Sequence, residues 1–234
     1  MKIFSFNVKH FMHDSRQLPE VAALLKEMGA DLVGLQEVDD GCTRSAQVHQ
    51  AAECAKQAGF PYFAFGKNID HQGGEYGNAI LSKYPIVSAE TVSYQVICPT
   101  DHNRSYMRVG VEVDGKVLYF YNTHLTLQKN GEAEEEVKEL CARMQQDEYA
   151  IAVGDFNLKA PVVAQLAEPA ILALNGGAGR ETLNTFSTKN PSSSIDNILI
   201  TPNLVVTEEA QTHHGTLSDH NPIWATLDLP ESAQ

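Results

Sequence analysis

Short apolar runs separated by polar turns recur along the chain: "KIFSFN", "DLVGLQ", "PYFAFG", "GNAILS", "YMRVGVEV", "KVLYFYNTHL", "YAIAVGD", "SIDNILI", "NLVVTEEA" and "PIWATLDL". Their length and their β-branched and aromatic content predict strands. Asp114-Gly115, between two of them, predicts a tight hairpin. Other stretches place apolar residues at helical spacing: Leu18 to Met28, with Pro19 near its start and Gly29 as a stop, then Thr43 to Ala58, then Gly131 to Gln146. The acidic run Glu132 to Glu136 falls in the first turns of the last stretch. The helix dipole favours negative charge there, so the run reads as a solvated face. Many strands with few helices predict an α+β chain of stacked sheets with helices outside. No Pro/Gly/Ser-rich linker interrupts residues 1–234, so one domain is expected.

Composition narrows the function. With 30 acidic against 17 basic residues, the net charge is −13. That disfavours non-specific clamping of polyanions, which needs Lys and Arg, but leaves room for a local metal-charged cleft. "MKIFSFNVKH" reads as a strand and carries no apolar leader, and no run is long enough to span a bilayer. Cys42, Cys54, Cys98 and Cys141 are scattered without a CxxC, as expected of reduced thiols in a cytoplasmic protein.

Polar residues stand at the ends of the apolar runs. Asn7 closes "FSFN", Glu37 closes "LVGLQE", His124 closes "LYFYNTH", and Asp155 and Asn157 close "AVGDFN". Asp196 lies inside "SIDNILI", and Asp219 and His220 precede the last strand in "LSDHNP". If the strands are neighbours, these ends gather. Four carboxylates cannot cluster without a cation or displaced pKa values. Oxygen-rich donors with little His and no Cys suit Mg²⁺ or Mn²⁺ better than zinc. Such an ion can hold a phosphate and stabilise its developing charge.

The ordered series "FN", "LQE", "YGNAILSKYPI", "NTHL", "GDFN", "SIDNILI" and "SDHNPI", from Asn7 to about Trp224, resembles the endonuclease/exonuclease/phosphatase superfamily with its deoxyribonuclease I-like fold. The resemblance implies a four-layered α/β/β/α sandwich of two mixed sheets, and a Mg²⁺- or Mn²⁺-dependent phosphohydrolase. It implies Glu37 as a direct metal ligand, with Asn7 and Asp219 in the metal's shell. Asp155 would orient or deprotonate the attacking water, Asn157 would hold water or phosphate, and His124 would contact the phosphate. Asp196 would fix the tautomer of His220 and keep its imidazole cationic. Tyr76, Asn78 and Arg108 match weaker positions near the substrate, with Arg108 the phosphate partner. Alternatively, Asn78 caps a turn, Tyr76 merely packs, and Arg108 is an edge-strand charge. Asn197 after Asp196, and Lys9 where Arg is common, depart from the family pattern.

Residues 100–105, "TDHNRS", read as a polar turn, with a substrate-holding loop as the alternative; His213-His214 read as exposed, and "NGGAGR" as a loop lacking the phosphate-loop Lys. The expected protein is a monomer acting on a phosphoester. The short chain leaves little room for substrate-grasping insertions and favours a small or lipid-like ester. A DNA- or RNA-cleaving nuclease is the rival within the class, and a catalytically idle binding module of the same fold is the rival outside it. The number of metal ions is left open.

Overall fold

Alternation along β1 (Lys2–Asn7) sends Phe4 and Phe6 to one face and Ile3, Ser5 and Asn7 to the other. Both faces are buried, and this double burial repeats through the molecule. The structure is a computed structural model that describes residues 1–13, 17–97, 104–127 and 130–230. Cys98 and residues 100–103 of the expected polar turn lie outside the described residues.

The elements follow in the order β1, α1 (Gln17–Glu27), β2 (Leu32–Asp40), α2 (Gln50–Ala58), β3 (Tyr62–His71), β4 (Gly74–Ser82), β5 (Ile86–Ser93), β6 (Ser105–Val113), β7 (Lys116–His124), α3 (Glu132–Met144), β8 (Ala150–Asp155), α4 (Ala160–Ala167), β9 (Leu172–Ala173), β10 (Asp196–Ile200), β11 (Val205–Thr212) and β12 (Ile223–Asp228). They form two six-stranded sheets, ordered β11-β12-β1-β2-β4-β3 and β5-β6-β7-β8-β10-β9. Each is mixed, with β1–β2 and β7–β8 parallel and the remaining pairs antiparallel.

Three apolar layers hold the sandwich. Phe4, Phe6, Val33 and Leu35 pack outward against Val21 and Leu25 of α1 and Ala51 and Ala55 of α2. Ile3, Leu32 and Ile80 meet Val109, Phe120, Ile151, Val153 and Ile198 between the sheets. Tyr121, Ala152 and Leu199 pack outward against Val137 and Leu140 of α3 and Val163 of α4. The arrangement is the expected four-layered α/β/β/α sandwich. Burial of these side chains, each worth roughly 1.5–3 kcal/mol, drives the stacking.

The hairpin at Asp114-Gly115 joins β6 to β7 with both residues at positive φ, the twist a two-residue turn needs. Two expectations need correction. The helix expected from Thr43 begins only at Gln50, because Ala46 and Gln47 adopt left-handed φ of 54° and 59° and end the first turn. The acidic run is not a solvated face throughout, since Glu136 is 1% exposed and Glu132 only 9%. Strand β5 and helix α4 escape the hydrophobic pattern: β5 is a largely exposed edge, and α4 is eight residues long. No helix among the described residues is long and apolar enough to cross a membrane. Cys42, Cys54 and Cys141 are buried free thiols, and burial pushes Cys54 and Cys141 up to about 12.

Candidate active site

The inward-facing positions of the strands become polar at one end of the sandwich. On β8, Ile151 and Val153 lie between the sheets and Asp155 follows them on the same face. On β7, Phe120 leads to His124 by the same parity, and on β10 Ile198 and Ile200 follow Asp196. The ladder places His124 beside Asp155 on one side and Asp196 on the other. Phe156 points the opposite way, fully buried under the outer helices, so "DFN" splits between a polar end and a core.

The facing sheet supplies Asn7 and Glu37. Asn7 closes β1 on the inward face, paired with Gln36. Between Leu35 and Val38 the β2–β4 register slips, and Glu37 takes φ +58°. This bulge lets Gln36 turn inward to Asn122 Oδ1 at 2.7 Å while Glu37 reaches Asn7.

Three groups converge on one oxygen. Asp155 Oδ2 accepts a hydrogen bond from Asn7 Nδ2 at 3.0 Å, and His220 Nε2 and His124 Nε2 stand 3.4 and 3.6 Å from it. Asn7 Nδ2 also donates to Glu37 Oε1 at 3.0 Å, bridging the carboxylates of the two sheets. Asp155 Oδ1 accepts from the Asn157 backbone N–H at 3.0 Å, and Asn157 Nδ2 donates to Leu125 O at 2.8 Å. On its far side His220 places Nδ1 2.9 Å from Asp196 Oδ2, which also accepts from Thr185 Oγ1 at 2.5 Å. Phe186 packs on the imidazole with centroids 4.8 Å apart. Ser218 Oγ donates to Asn7 O at 2.7 Å and ties the His220 loop to β1.

Burial raises the Asp155 carboxyl to about 7, with the His220 cation opposing the shift and Asp196 reinforcing it. Burial alone would lower His220, but Asp196 and Asp155 outweigh it and raise the imidazole to about 10. At neutral pH the proton of this cluster therefore rests on His220 first.

The remaining candidates sit around this centre. Asp219 meets Lys9 Nζ at 2.6 Å, and the Lys9 N–H donates to Asn7 Oδ1 at 3.0 Å. Asp219 is thus joined to the centre through Lys9 rather than by a contact with Glu37. Tyr76 lies beside Glu37, with the Arg44 guanidinium 5.3 Å from its ring centroid, and burial first and Glu37 second push its phenol upward. Asn78 shares the inward face with Tyr76 and Ile80, is buried, and has no partner for its Nδ2.

Arg108 is a correction. Met107 and Val109 face inward, so Arg108 points outward. There it holds Asp147 through Nη2–Oδ1 at 2.6 Å and Nε–Oδ2 at 3.0 Å, reaches Glu90 at 3.1 Å and lies 3.5 Å over the Tyr119 ring. It is remote in facing from Asp155 and is not placed to meet a phosphate there. Arg104, four residues earlier and 5% exposed, stands nearer the site: its charge acts on both Tyr76 and Glu136. Its sequence signal is its place in "TDHNRS", the stretch that as an alternative holds a substrate loop, at the mouth of an apolar strand. Thr185 had no signal at all.

The donors present suit a hard divalent cation. Glu37 and Asn7 offer oxygens, no cysteine joins a candidate ligand cluster among the described residues, and Asp196 Oδ1 is buried without a hydrogen-bond partner. Asp155, Asp196 and His220 also lie within ligand reach of one another. Both nitrogens of His220 already face carboxylates there, which favours a proton-sharing array over a metal cage.

The model of the Endonuclease/Exonuclease/phosphatase family matches residues 4–220. The uncharacterized protein YbhP of Escherichia coli K12 is 28% identical over 171 residues, 67% of this chain and 66% of YbhP, so the matched part spans just under two thirds of that relative. Among solved structures, TDP2 of D. rerio complexed with single strand DNA product superposes with a TM-score of 0.74 at 19% identity, covering 97% of this chain and 98% of that one. The mannosyl-6-phosphatase Bt3783 of Bacteroides thetaiotaomicron VPI-5482 gives 0.71 at 15% identity, covering 98% of this chain and 100% of that one. At such identities the likeness shows the shared fold.

Proposed function

Because the chain belongs to the endonuclease/exonuclease/phosphatase family, we propose that it is a divalent-metal-dependent phosphohydrolase that cleaves a P–O ester bond by in-line attack of water. The observation that carries the reading is the convergence of Asn7, His124 and His220 on the buried Asp155 carboxylate. Mg²⁺ or Mn²⁺, held by Glu37 with Asn7 and Asp219 nearby, would neutralise charge on the phosphate oxygens.

Asp155 takes the proton of the attacking water, for which its raised pKa makes it a competent base near neutrality. The water oxygen bonds to phosphorus as the ester bond breaks, and the leaving oxygen departs with the bonding electron pair and takes a proton from solvent. His220, oriented through Nδ1 by Asp196, faces the phosphoryl group as an imidazolium and offsets its growing negative charge. His124 contributes a donor beside the same oxygen. Asn157 ties the Asp155 turn to the backbone after His124. Arg104, whose charge acts on Tyr76, takes the part expected of Arg108 as a cation on the substrate side.

A small or lipid-like phosphoester suits the acidic chain better than a long polyanion. The test is a screen of DNA, RNA, nucleotides, sugar phosphates and phospholipids with Mg²⁺ or Mn²⁺, using Asp155→Asn as control. Metal-dependent turnover of a small ester that the variant loses is expected. Plasmid nicking, weakened by salt, would favour the nuclease instead. Absence of turnover on every ester, including bis-p-nitrophenyl phosphate, would leave only a binding module.

A further inference from the structure

Helix α3 carries carboxylates at Glu132, Glu136 and Glu139, spaced so that they share one side of the helix. Each accepts from backbone outside the helix. Glu132 takes the N–H of Asn130 at 2.8 Å and its Nδ2 at 3.2 Å. Glu139 takes the N–H of Gln95 at 2.9 Å, just after β5. Glu136, the central and most buried of the three, takes both the N–H of Thr126 at 2.8 Å and its hydroxyl at 2.7 Å.

Thr126 lies two residues beyond His124. The segment between them is fastened on its other side to the catalytic turn. Leu125 N–H donates to Asp155 O at 2.9 Å, and Leu125 O accepts from Asn157 Nδ2 at 2.8 Å. The backbone after His124 is therefore gripped from the β8 side by Asp155 and Asn157 and from the α3 side by Glu136.

An acid on a surface helix has no need of burial. Burial disfavours the charge of Glu136 and raises its pKa, with the Thr126 bonds and the Arg104 charge opposing. Leaving such a group dry is costly unless its bonds matter.

We propose that Glu136 is a positioning residue of the hydrolytic site, clamping the Leu125–Thr126 segment so that the His124 imidazole is held against Asp155 Oδ2. The proposal rests on the phosphohydrolase reading for its kinetic consequence, but not for its geometric one. Glu132 and Glu139 brace the neighbouring segments in the same manner. The metal-binding side, on the opposite sheet, is untouched by the clamp.

The test uses the full chain with Thr126→Val, Thr126→Ser, Glu136→Gln and Glu136→Ala. The carbon–hydrogen cross-peak of the His124 ring is read by NMR without metal or substrate, with His49, 70% exposed at the side chain, as the remote control. Thr126→Val and Glu136→Gln should move the His124 peak and leave His49 in place. They should lower kcat by about 10- to 100-fold, the range for lost support of a catalytic group. Mn²⁺ affinity should stay within about twofold of wild type, while Thr126→Ser, which keeps the hydroxyl, should restore both kcat and the His124 peak. If Glu136→Ala fails to fold, Thr126→Val carries the test alone. A folded Thr126→Val with an unmoved His124 peak, or with kcat unchanged, overturns the proposal. A wild-type protein that turns over no phosphoester would count against the enzymatic reading, while the His124 peak still decides the clamp.

Discussion

Two charged clusters are built on the same sheet, on opposite faces, and they behave differently. On the outer face Arg108 and Arg143 surround Asp147, Tyr121 adds its hydroxyl, and the Asp147 side chain is 5% exposed. Burial opposes the charge of Asp147, but the Arg108 bonds outweigh it and lower its pKa. On the inner face Asp155 and Asp196 share His220, burial raises Asp155, and Asp196 Oδ1 has no partner. The first cluster has its charges and hydrogen bonds matched. The second sets two buried carboxylates against one imidazolium and leaves Asp196 Oδ1 unpartnered, an imbalance of the kind found where a site binds a ligand.

The largest contrast should come from Asp155 and His220. Asp155→Asn or His220→Ala should lower kcat by about a hundredfold or more. The Asp155→Asn protein should melt no lower than wild type, since it removes a carboxylate that burial disfavours. A melting temperature that falls together with kcat would erase the distinction between the clusters. Conversely, Asp147→Ala should cost about 3 kcal/mol of unfolding free energy by stranding Arg108, with kcat within about twofold of wild type. Denaturant unfolding and steady-state rates check both halves.

pH sharpens the difference further. The raised pKa of His220 stabilises the fold fully below its unfolded value of about 6.5, and that stabilisation fades as pH rises through about 10. The raised pKa of Asp155 works in the same direction, with stability declining as pH climbs from about 4 to about 7. For Asp147, with its pKa lowered, the contribution is present above about 3.9 and is lost as pH falls. Asp147→Ala should therefore flatten the acid limb of the metal-free stability profile, and His220→Ala the alkaline limb. In turnover, the rate should rise as Asp155 ionises and fall as His220 deprotonates. A bound divalent cation would move the acid limb lower. The smallest expected effect is that of Thr185→Val, which removes one hydrogen bond to Asp196 and should cost about 1 kcal/mol in stability or in activation free energy.

The sequence carried the strands, the Asp114-Gly115 hairpin and the polar ends of the apolar runs, because period and turn chemistry are local. It also carried the inner cluster, since Asn7, Glu37, His124 and Asp155 close apolar runs and Asp196 and His220 stand just before them. Facing was another matter. The alternation in "YMRVGVEV" already sets Met107, Val109, Val111 and Val113 on one face and Arg108 and Glu112 on the other, but only sheet stacking made the apolar face the inner one and gave Arg108 Asp147 as its partner. The outcome for Glu136 has the same origin: nothing within "GEAEEEVKEL" separates the acid that meets Thr126 from the acids that meet water. Residue chemistry and spacing are properties of a segment. The partner that satisfies a buried charge is chosen when distant segments pack, and it was that choice which separated a balanced cluster from an unbalanced one.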